Sequence, residues 1–434
     1  MSSEAPSARL PAQFYAFQSG IVLGYFALRL GSFAAAWWCL ESTRDPLQLA
    51  AILALATGFD LVVGPLAAPL GDRFGGRLVQ VTFVAQIVCF ALLALAARGS
   101  FDAIVLAALL IPAQFLDAAR DPVADAALPQ LVGNASLTDG VRIRRALGTA
   151  SRILGPAVGG AVTALLGASA TFVLAVVALV AGALLCATTR LPGAAAAMSA
   201  GTATLGTWWR DTLEGLRSLL AIRTELAIAI GSAFLTAAVA CFVAIAVPQL
   251  ALQTQGAWVA GVVDAALGAG VAVAALFAVK PLNARFGAWR TVLGGLAAVP
   301  LAFALMAIAP LAVWLMVPAA AAIGFALVLV GTNLSALRLG ATPEAWRTRI
   351  VANATFVSSL LVPLGNLGAG WLAERSEPAL LLAGFAACTL VPLLAIPAAP
   401  HLRALLNAGE SGQRAAYLSL FPAAFRGAGP RPSV

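Results

Sequence analysis

Ionisable side chains are scarce in this chain, and several stand inside otherwise apolar stretches: Arg29, Asp60, Asp117, Arg120, Asp121, Arg152 and Asp264. Carboxylates and guanidiniums so placed can pair with each other, grip a charged solute, or bind and release a proton. They do not suggest covalent chemistry. The single histidine, His401, leaves no Ser-His or Cys-His set, and there is no Gly-Lys-Ser/Thr phosphate loop that would hold a nucleotide. Cys39, Cys89, Cys186, Cys241 and Cys388 occur singly, without paired spacing. They read as free thiols used as small apolar residues, with neither disulfides nor a metal. The expectation is therefore a protein that is not an enzyme and needs no cofactor.

Reflection about the turns pairs these charges by depth. The outer turn between the first two apolar stretches centres near residue 44, so Arg29 and Asp60 fall at nearly the same level, about mid-membrane. A lone charge there costs at least ~2.5–3.5 kcal/mol on insertion scales, which favours pairing. The pair is either a permanent lock between two helices or a switch that a substrate or proton opens. Asp117, Arg120 and Asp121 stand at i, i+3 and i+4 and share a helix face. Reflection about residue 134 sets Arg152 opposite Asp117, making a second charge group on the inner side. Asp264 lies in the outer third of its stretch, and this reasoning sets no arginine opposite it; it is either a proton carrier or a wetted interfacial acid. Asn333 and Asn366 are candidate hydrogen-bonding residues of a cavity, or polar glue between helices.

The elements that must position these residues follow from composition. At 61% hydrophobic and 10% charged, the chain is far from the roughly 25% charged of soluble domains. Apolar runs long enough to cross a bilayer recur near 13–40, 48–70, 78–97, 103–126, 143–166, 169–189, 226–250, 257–279, 291–309, 311–336, 350–372 and 379–399. The fold class is an all-α polytopic membrane protein of twelve transmembrane helices in two six-helix bundles. The expected division is an N-terminus of 1–12, a first bundle of 13–190, a linker of 191–225, a second bundle of 226–399 and a tail of 400–434. The N-terminus carries no signal-peptide pattern.

The net charge of +8 reflects orientation rather than nucleic acid. Between the stretches, one side holds only Arg44, Arg98 and Arg375. Apart from the helix-embedded Arg29, Arg120 and Arg152, all other Lys and Arg fall on the opposite side with both termini. By the positive-inside rule that side is cytoplasmic and holds both termini; the expected location is a bacterial inner membrane. Within the linker, Trp208, Leu213, Leu216 and Leu220 recur at helical spacing, predicting an amphipathic helix at the inner surface. The tail, rich in Pro, Gly and Arg, is expected to be disordered or loosely held by lipid head groups.

The two halves repeat. Arg73-Phe74-Gly75-Gly76-Arg77 is echoed by Arg285-Phe286-Gly287-Ala288-Trp289-Arg290, and the pair Arg142 and Pro156 by Arg349 and Pro363. Parallel repeats of this kind place a site at their interface near the midplane. Ala284 stands where Asp72 would be, so any switching by this turn is concentrated in the first half.

The turn Gly71-Asp72-Arg73-Phe74-Gly75-Gly76-Arg77 resembles the motif between helices 2 and 3 of the major facilitator superfamily. Ala68 stands at that motif's leading Gly and Gly76 at its first basic position. Gly155-Pro156-x-x-Gly159-Gly160 resembles the family's antiporter motif on helix 5. RDPVADAALPQLV before the basic loop, and RTRIVANATF with PLGNLGAGWLAE near the C-terminus, are similar to the macrolide-efflux and siderophore-exporter branch. The resemblance covers residues 13–399. It implies a monomeric exporter driven by proton antiport, with a small-molecule substrate, protons and the lipid bilayer as partners, and a siderophore favoured over a macrolide or other drug. An uptake symporter or lysophospholipid flippase of the same fold is the rival reading, and a membrane-embedded enzyme or sensor the remote one. The resemblance further assigns Asp72, Arg73 and Arg77, with Asp117, Arg120, Asp121 and Arg152, to gating. Arg29, Asp60, Asp264, Asn333 and Asn366 remain the candidates for substrate and proton coupling.

Overall fold

The computed structural model describes residues 11–74, 76–132, 137–189, 205–253, 256–310, 312–343, 346–408 and 412–425. It is helical throughout these segments. Among the described residues ten helices are long and apolar enough to cross a membrane, and two more crossings follow from geometry. One is α2 (Pro46–Phe74), whose apolar part is Pro46–Leu61. The other lies within the continuous run Leu137–Ala187, where Gly167 takes φ +83° and ψ 173°. Only glycine adopts that backbone at low cost. The hydroxyls of Thr163 and Thr171 meet at 2.8 Å across it. In a straight helix eight residues rise about 12 Å, so the chain reverses there, separating α5 (residues 137–166) from α6 (168–187).

The chain forms two compact units. The first comprises 1–202 with Ala251–Ala265, and the second Ala203–Leu250 with 266–434. In the first, α1 (Ala12–Thr43) is the central helix, more than half buried. It packs on the α5–α6 hairpin and on α4 (Ala103–Val132), while α2 packs on α4, and α3 (Gly76–Ala96) on α4 and the hairpin. Glycines along α1 permit this crowding. A Cβ on Gly20 would strike Cys186 and the carbonyl of Gly182 in α6, and one on Gly31 the ring of Phe90 in α3. Trp38, Phe101, Phe90 and Phe172 close the end of the unit near the α1–α2 turn with ring contacts of 5.0–6.4 Å.

The second unit begins with α7 (Leu205–Ala221). Its Leu219 is fully buried, while Leu213 and Leu220 stay exposed. The spanning helices α8 (Arg223–Gln253), α9 (Ala257–Phe286), α10 (Ala288–Ile308), α11 (Val313–Ala341), α12 (Arg349–Arg375) and α13 (Pro378–Ala395) follow. Of α9, only the inner part belongs here. Phe242, Phe303 and Phe385 from α8, α10 and α13 form an aromatic cluster at 5.2–6.4 Å. Both α8 and α9 contain a π-helical turn, Phe242–Ala246 and Ala274–Ala278, shortly before Pro248 and Pro281. Proline lacks an N–H and crowds the preceding turn, and a widened turn relieves this. Gly287, at φ +80°, ends α9 and turns the chain into α10.

The described part of the tail corrects the expectation of disorder. Leu402–Asn407 forms α14, Ala416–Leu420 forms α15, and a 3-10 turn follows at Pro422–Phe425. Leu402, Leu405 and Leu406 share an apolar face, and with Tyr417 and Ala424 they enter a core that also holds Leu219, Ile222 and Leu337 of the second unit. Leu402, Leu405 and Leu406 follow helical spacing, a pattern masked by the Gly, Pro and Arg around it.

Candidate functional site

The first unit carries a polar network in its middle, where its helices are otherwise apolar. Arg120 on α4 is completely buried. Its guanidinium is received by α3, where Nη2 donates to Oε1 of Gln86 and Nε donates to Oγ1 of Thr82 at 3.3 Å. The ring of Phe83 covers it at 4.0 Å. Gln86 is itself anchored, donating Nε2 to the carbonyl of Ala113 at 2.7 Å. Gly24 on α1 closes the receptacle, because a Cβ there would overlap the guanidinium. A buried charge is tolerable only with this degree of hydrogen bonding and pairing. One turn away on its own helix, Asp117 offers Oδ1 to Nη1 of Arg120 at 3.4 Å.

Asp117 joins what the sequence had divided. It feels the charges of Arg120, Arg29 and Asp60 together. Arg29 of α1 and Asp60 of α2 therefore both lie within electrostatic range of the acid of α4. Asp60 is half-buried and Arg29 is exposed, although both lie in mid-helix; each has polar or electrostatic partners. The backbone of α5 presses on Arg29, since a Cβ on Gly155 would lie 2.5 Å from its Cβ. At the same helix, Gly160 meets Gly261 of α9, where a Cβ would lie 2.7 Å from the Gly261 Cα. One turn inward from Gly261 is Asp264, buried and within reach of the charge of Arg29. Reflection had set no arginine opposite this residue, because α9 is not joined to α1 by a turn. The small residues of the Gly155-Pro156-x-x-Gly159-Gly160 stretch thus bring α1 and the outer part of α9 onto opposite contacts of one helix. Gly159 faces Leu30 and Phe33 of α1 at ordinary van der Waals distance.

Other sequence candidates fall elsewhere. Asn333 on α11 accepts from Asn283 Nδ2 at 2.8 Å and donates to the carbonyl of Leu329 at 2.8 Å. The Oδ1 of Asn366 on α12 accepts from the thiol of Cys241 at 3.3 Å. Both serve within the second unit. Arg77 is exposed at the start of α3. The side chains of Asp72, Arg73, Asp121 and Arg152, and all of Gly75, lie outside the described residues.

Sequence reasoning gave no role to Thr82 and Gln86. Their signal was there, a polar pair at i and i+4 on an apolar helix with Phe83 between. It also missed a second buried charge cluster. Glu225, fully buried at the start of α8, accepts from Arg338 Nε at 2.7 Å and from the Tyr417 hydroxyl at 2.8 Å. Among the described residues, no group of three or more His, Cys, Asp or Glu is placed to hold a metal.

No protein-family model matches the chain, and no curated protein matches it in sequence. Solved structures do match its coordinates. A peptide transporter of the POT family in complex with alafosfalin superposes with a TM-score of 0.71 at 15% identity, over 93% of this chain and 98% of that one. A bacterial homologue of the human lysosomal transporter Spinster, inward-facing and unoccupied, gives 0.64 at 13% identity, over 93% and 98%. The nucleoside transporter NupG gives 0.62 at 14% identity, over 89% and 99%. At such identities the likeness is one of architecture: the chain has the all-α, twelve-helix membrane fold of the major facilitator transporters.

Proposed function

We propose that this chain is a secondary active transporter that exports a small molecule across a bacterial inner membrane, by proton antiport and alternating access. The observation that carries the reading is the group Arg29, Asp60, Asp117, Arg120 and Asp264, assembled from four helices that would otherwise be apolar. Ionisable residues at that depth are costly, and they are retained where a solute or proton passes. The structural neighbours support transport, since their names describe transporters of peptides and nucleosides. The GPxxGG stretch and the similarity of 13–399 to siderophore and macrolide exporters favour export, with a siderophore first and a macrolide or other drug second.

In this mechanism Arg29 is the exchangeable cation. An oxygen-rich substrate is held between Arg29 and an ionised carboxylate, to which it donates its hydroxyls; after release, Arg29 swings away, the carboxylate takes a proton from the side then open, and proton and substrate exclude one another. A nearby cation favours the ionised carboxylate, and its withdrawal together with burial favours the protonated one. The turn Asp72, Arg73 and Arg77 acts on gating, with Asp117, Arg120, Asp121 and Arg152 as the neighbouring charges. Asn333 and Asn366 offer polar contacts to the substrate when the second unit rearranges.

The test is flux in proteoliposomes holding the purified full-length chain, with an iron-free catecholate siderophore and a macrolide as trial substrates. Uptake into inside-out vesicles should follow an imposed pH gradient and collapse with a protonophore. Movement that ignores the pH gradient and follows sodium or membrane potential alone would overturn proton coupling. Movement only in the opposite direction would favour uptake symport, and movement of lysophospholipid alone a flippase.

A further inference from the structure

The three carboxylates of the site are not equivalent, and their surroundings separate them. Among the described residues they face two guanidiniums. Arg120 is walled in by Thr82, Gln86, Phe83 and Gly24 on three sides, and it lies against Asp117 at 3.4 Å. Moving it would strand several buried partners, so it is a fixed charge and Asp117 keeps a permanent counter-ion one turn away. Asp60 belongs to the same hairpin as Arg29, and both have partners. Asp264 differs. Like Asp117 it is 8% exposed with a buried Oδ1 that makes no hydrogen bond; unlike Asp117, among the described residues it has no guanidinium within ion-pair distance.

The charge that reaches Asp264 is Arg29, and Arg29 is the reverse of Arg120 in its setting. Its Cβ is pressed by the backbone at Gly155, yet the side chain as a whole is exposed and not enclosed. A long side chain that is confined at its root and not enclosed as a whole can exchange one partner for another. Around Asp264, α5 offers backbone at Pro156, Ala157 and Gly160, which stand against Gly261. The sole ionisable residue of α5 between Leu147 and Leu166 is Arg152, whose side chain lies outside the described residues. α11, which packs on the inner part of α9 through Gly324 and Leu267, carries no ionisable residue before Arg338. α1 supplies Arg29.

We propose that Asp264 is the group that binds and releases the transported proton, with Arg29 as its movable counter-charge. The proposal rests on the transporter reading and deepens it. With Arg29 turned toward Asp264, the carboxylate is ionised and has given its proton up. With Arg29 turned away toward Asp60, the carboxylate is left with an unsatisfied buried oxygen and binds a proton from the accessible side; substrate is held only in the first arrangement, so proton and substrate exclude one another. The proton is transferred whole, to and from water, and no bond to carbon changes. The glycines Gly155, Gly160 and Gly261 matter because they bring Arg29 and Asp264 close enough for the exchange without a turn connecting their helices.

Infrared spectra of the purified full-length protein in lipid, recorded across pH without substrate, test this. The stretch of a carboxyl that stays protonated above the range where exposed carboxyls titrate should be present in the wild type, vanish in Asp264→Asn, and persist in Asp117→Asn and Asp60→Asn. Asp264→Glu should keep a titrating band with a shifted midpoint, showing that the position still folds and still protonates. Arg29→Gln should move the wild-type midpoint upward, because the ionised form loses its counter-charge. A band unchanged in Asp264→Asn, absent in the wild type, or lost in Asp117→Asn instead would overturn the proposal. Each arm reads protonation and not flux. A pH-driven flux with a titrating group other than Asp264 removes this proposal alone, and a titrating Asp264 with flux indifferent to pH removes proton coupling alone.

Discussion

Each unit buries charge, and the two do so in opposite ways. In the second unit Glu225 has one acid's worth of demand and it is met: Arg338 on one oxygen at 2.7 Å, Tyr417 on the other at 2.8 Å. Helix α8, helix α11 and the C-terminal segment are joined at this point, and Thr224 adds a hydrogen bond to the carbonyl of Pro400 at 2.7 Å. In the first unit three acids share two arginines, one arginine is exposed, and buried oxygens of Asp117 and Asp264 lack a well-formed hydrogen bond. A satisfied buried pair has one preferred arrangement. An over-subscribed one has several of similar energy, which is what a transport cycle requires. The difference separates a clamp from a switch by hydrogen-bond arithmetic alone.

The largest expected effect breaks the clamp. Arg338→Ala or Glu225→Ala leaves the other charge buried without its partner, a loss of about 3–5 kcal/mol. Thermal unfolding of the purified protein should show it, and little folded protein should be recovered. Replacing both, with Arg338→Met and Glu225→Met, should restore most of the stability, since well-packed apolar residues often match a buried ion pair. A double variant as unstable as the singles would mean that charge at this position does more than hold the helices together.

The same operation on the switch should give a different result. Arg29→Ala and Asp60→Ala singly should impair insertion or transport strongly. The double change should recover expression, because no unpaired charge remains, but transport should stay at least about tenfold below wild type. That loss corresponds to about 1.4 kcal/mol or more on the transport barrier. Normal siderophore or macrolide flux in the double variant would make this pair a clamp too, and the contrast between the units would fall. Between these two lies Gln86→Leu, which unseats Arg120 by removing one acceptor. It should cost about 1–3 kcal/mol in thermal unfolding and leave the infrared titration assigned to Asp264 in place.

How much of this was legible in the sequence depends on how far apart in the chain the partners are. Hydropathy gave the spans, because a bilayer demands runs of one length and one composition. Reflection about a short turn could relate Arg29 to Asp60, since a hairpin fixes relative depth. It could say nothing of Arg29 and Asp264, which come within electrostatic range because Gly155 and Gly160 let two non-sequential helices touch α5. It separated Asp117 from Arg29 for the same reason. The tail was misread because composition averages over a segment, and burial depends on individual positions such as Leu402, Leu405 and Tyr417. Glu225 looked like a linker residue for want of any view of Arg338 across more than a hundred residues.

The smallest effect concerns the tail's contribution to the clamp. Tyr417→Phe keeps the ring in the core and removes only the hydroxyl, leaving Oε1 of Glu225 without its donor. A net loss of about 1 kcal/mol is expected, felt locally as easier release of residues 402–425 rather than as global unfolding. The hydroxyl also carries a pH signature. Burial, then the charge of Glu225 and the hydrogen bond to it, hold the Tyr417 phenol protonated well above its usual range. A released Tyr417 titrates near its ordinary value, about 10. The contribution of the hydroxyl is thus complete below pH ~10 and declines above it, as the released form ionises while the docked form does not. Cleavage of the 402–425 segment by an alkaline-stable protease, followed by mass spectrometry, should rise in the wild type above pH ~10. In Tyr417→Phe it should be faster at neutral pH and should lack the increment that belongs to this group. Identical cleavage profiles for the two proteins would show that the hydroxyl adds nothing, and that Glu225 and Arg338 form the clamp without the tail.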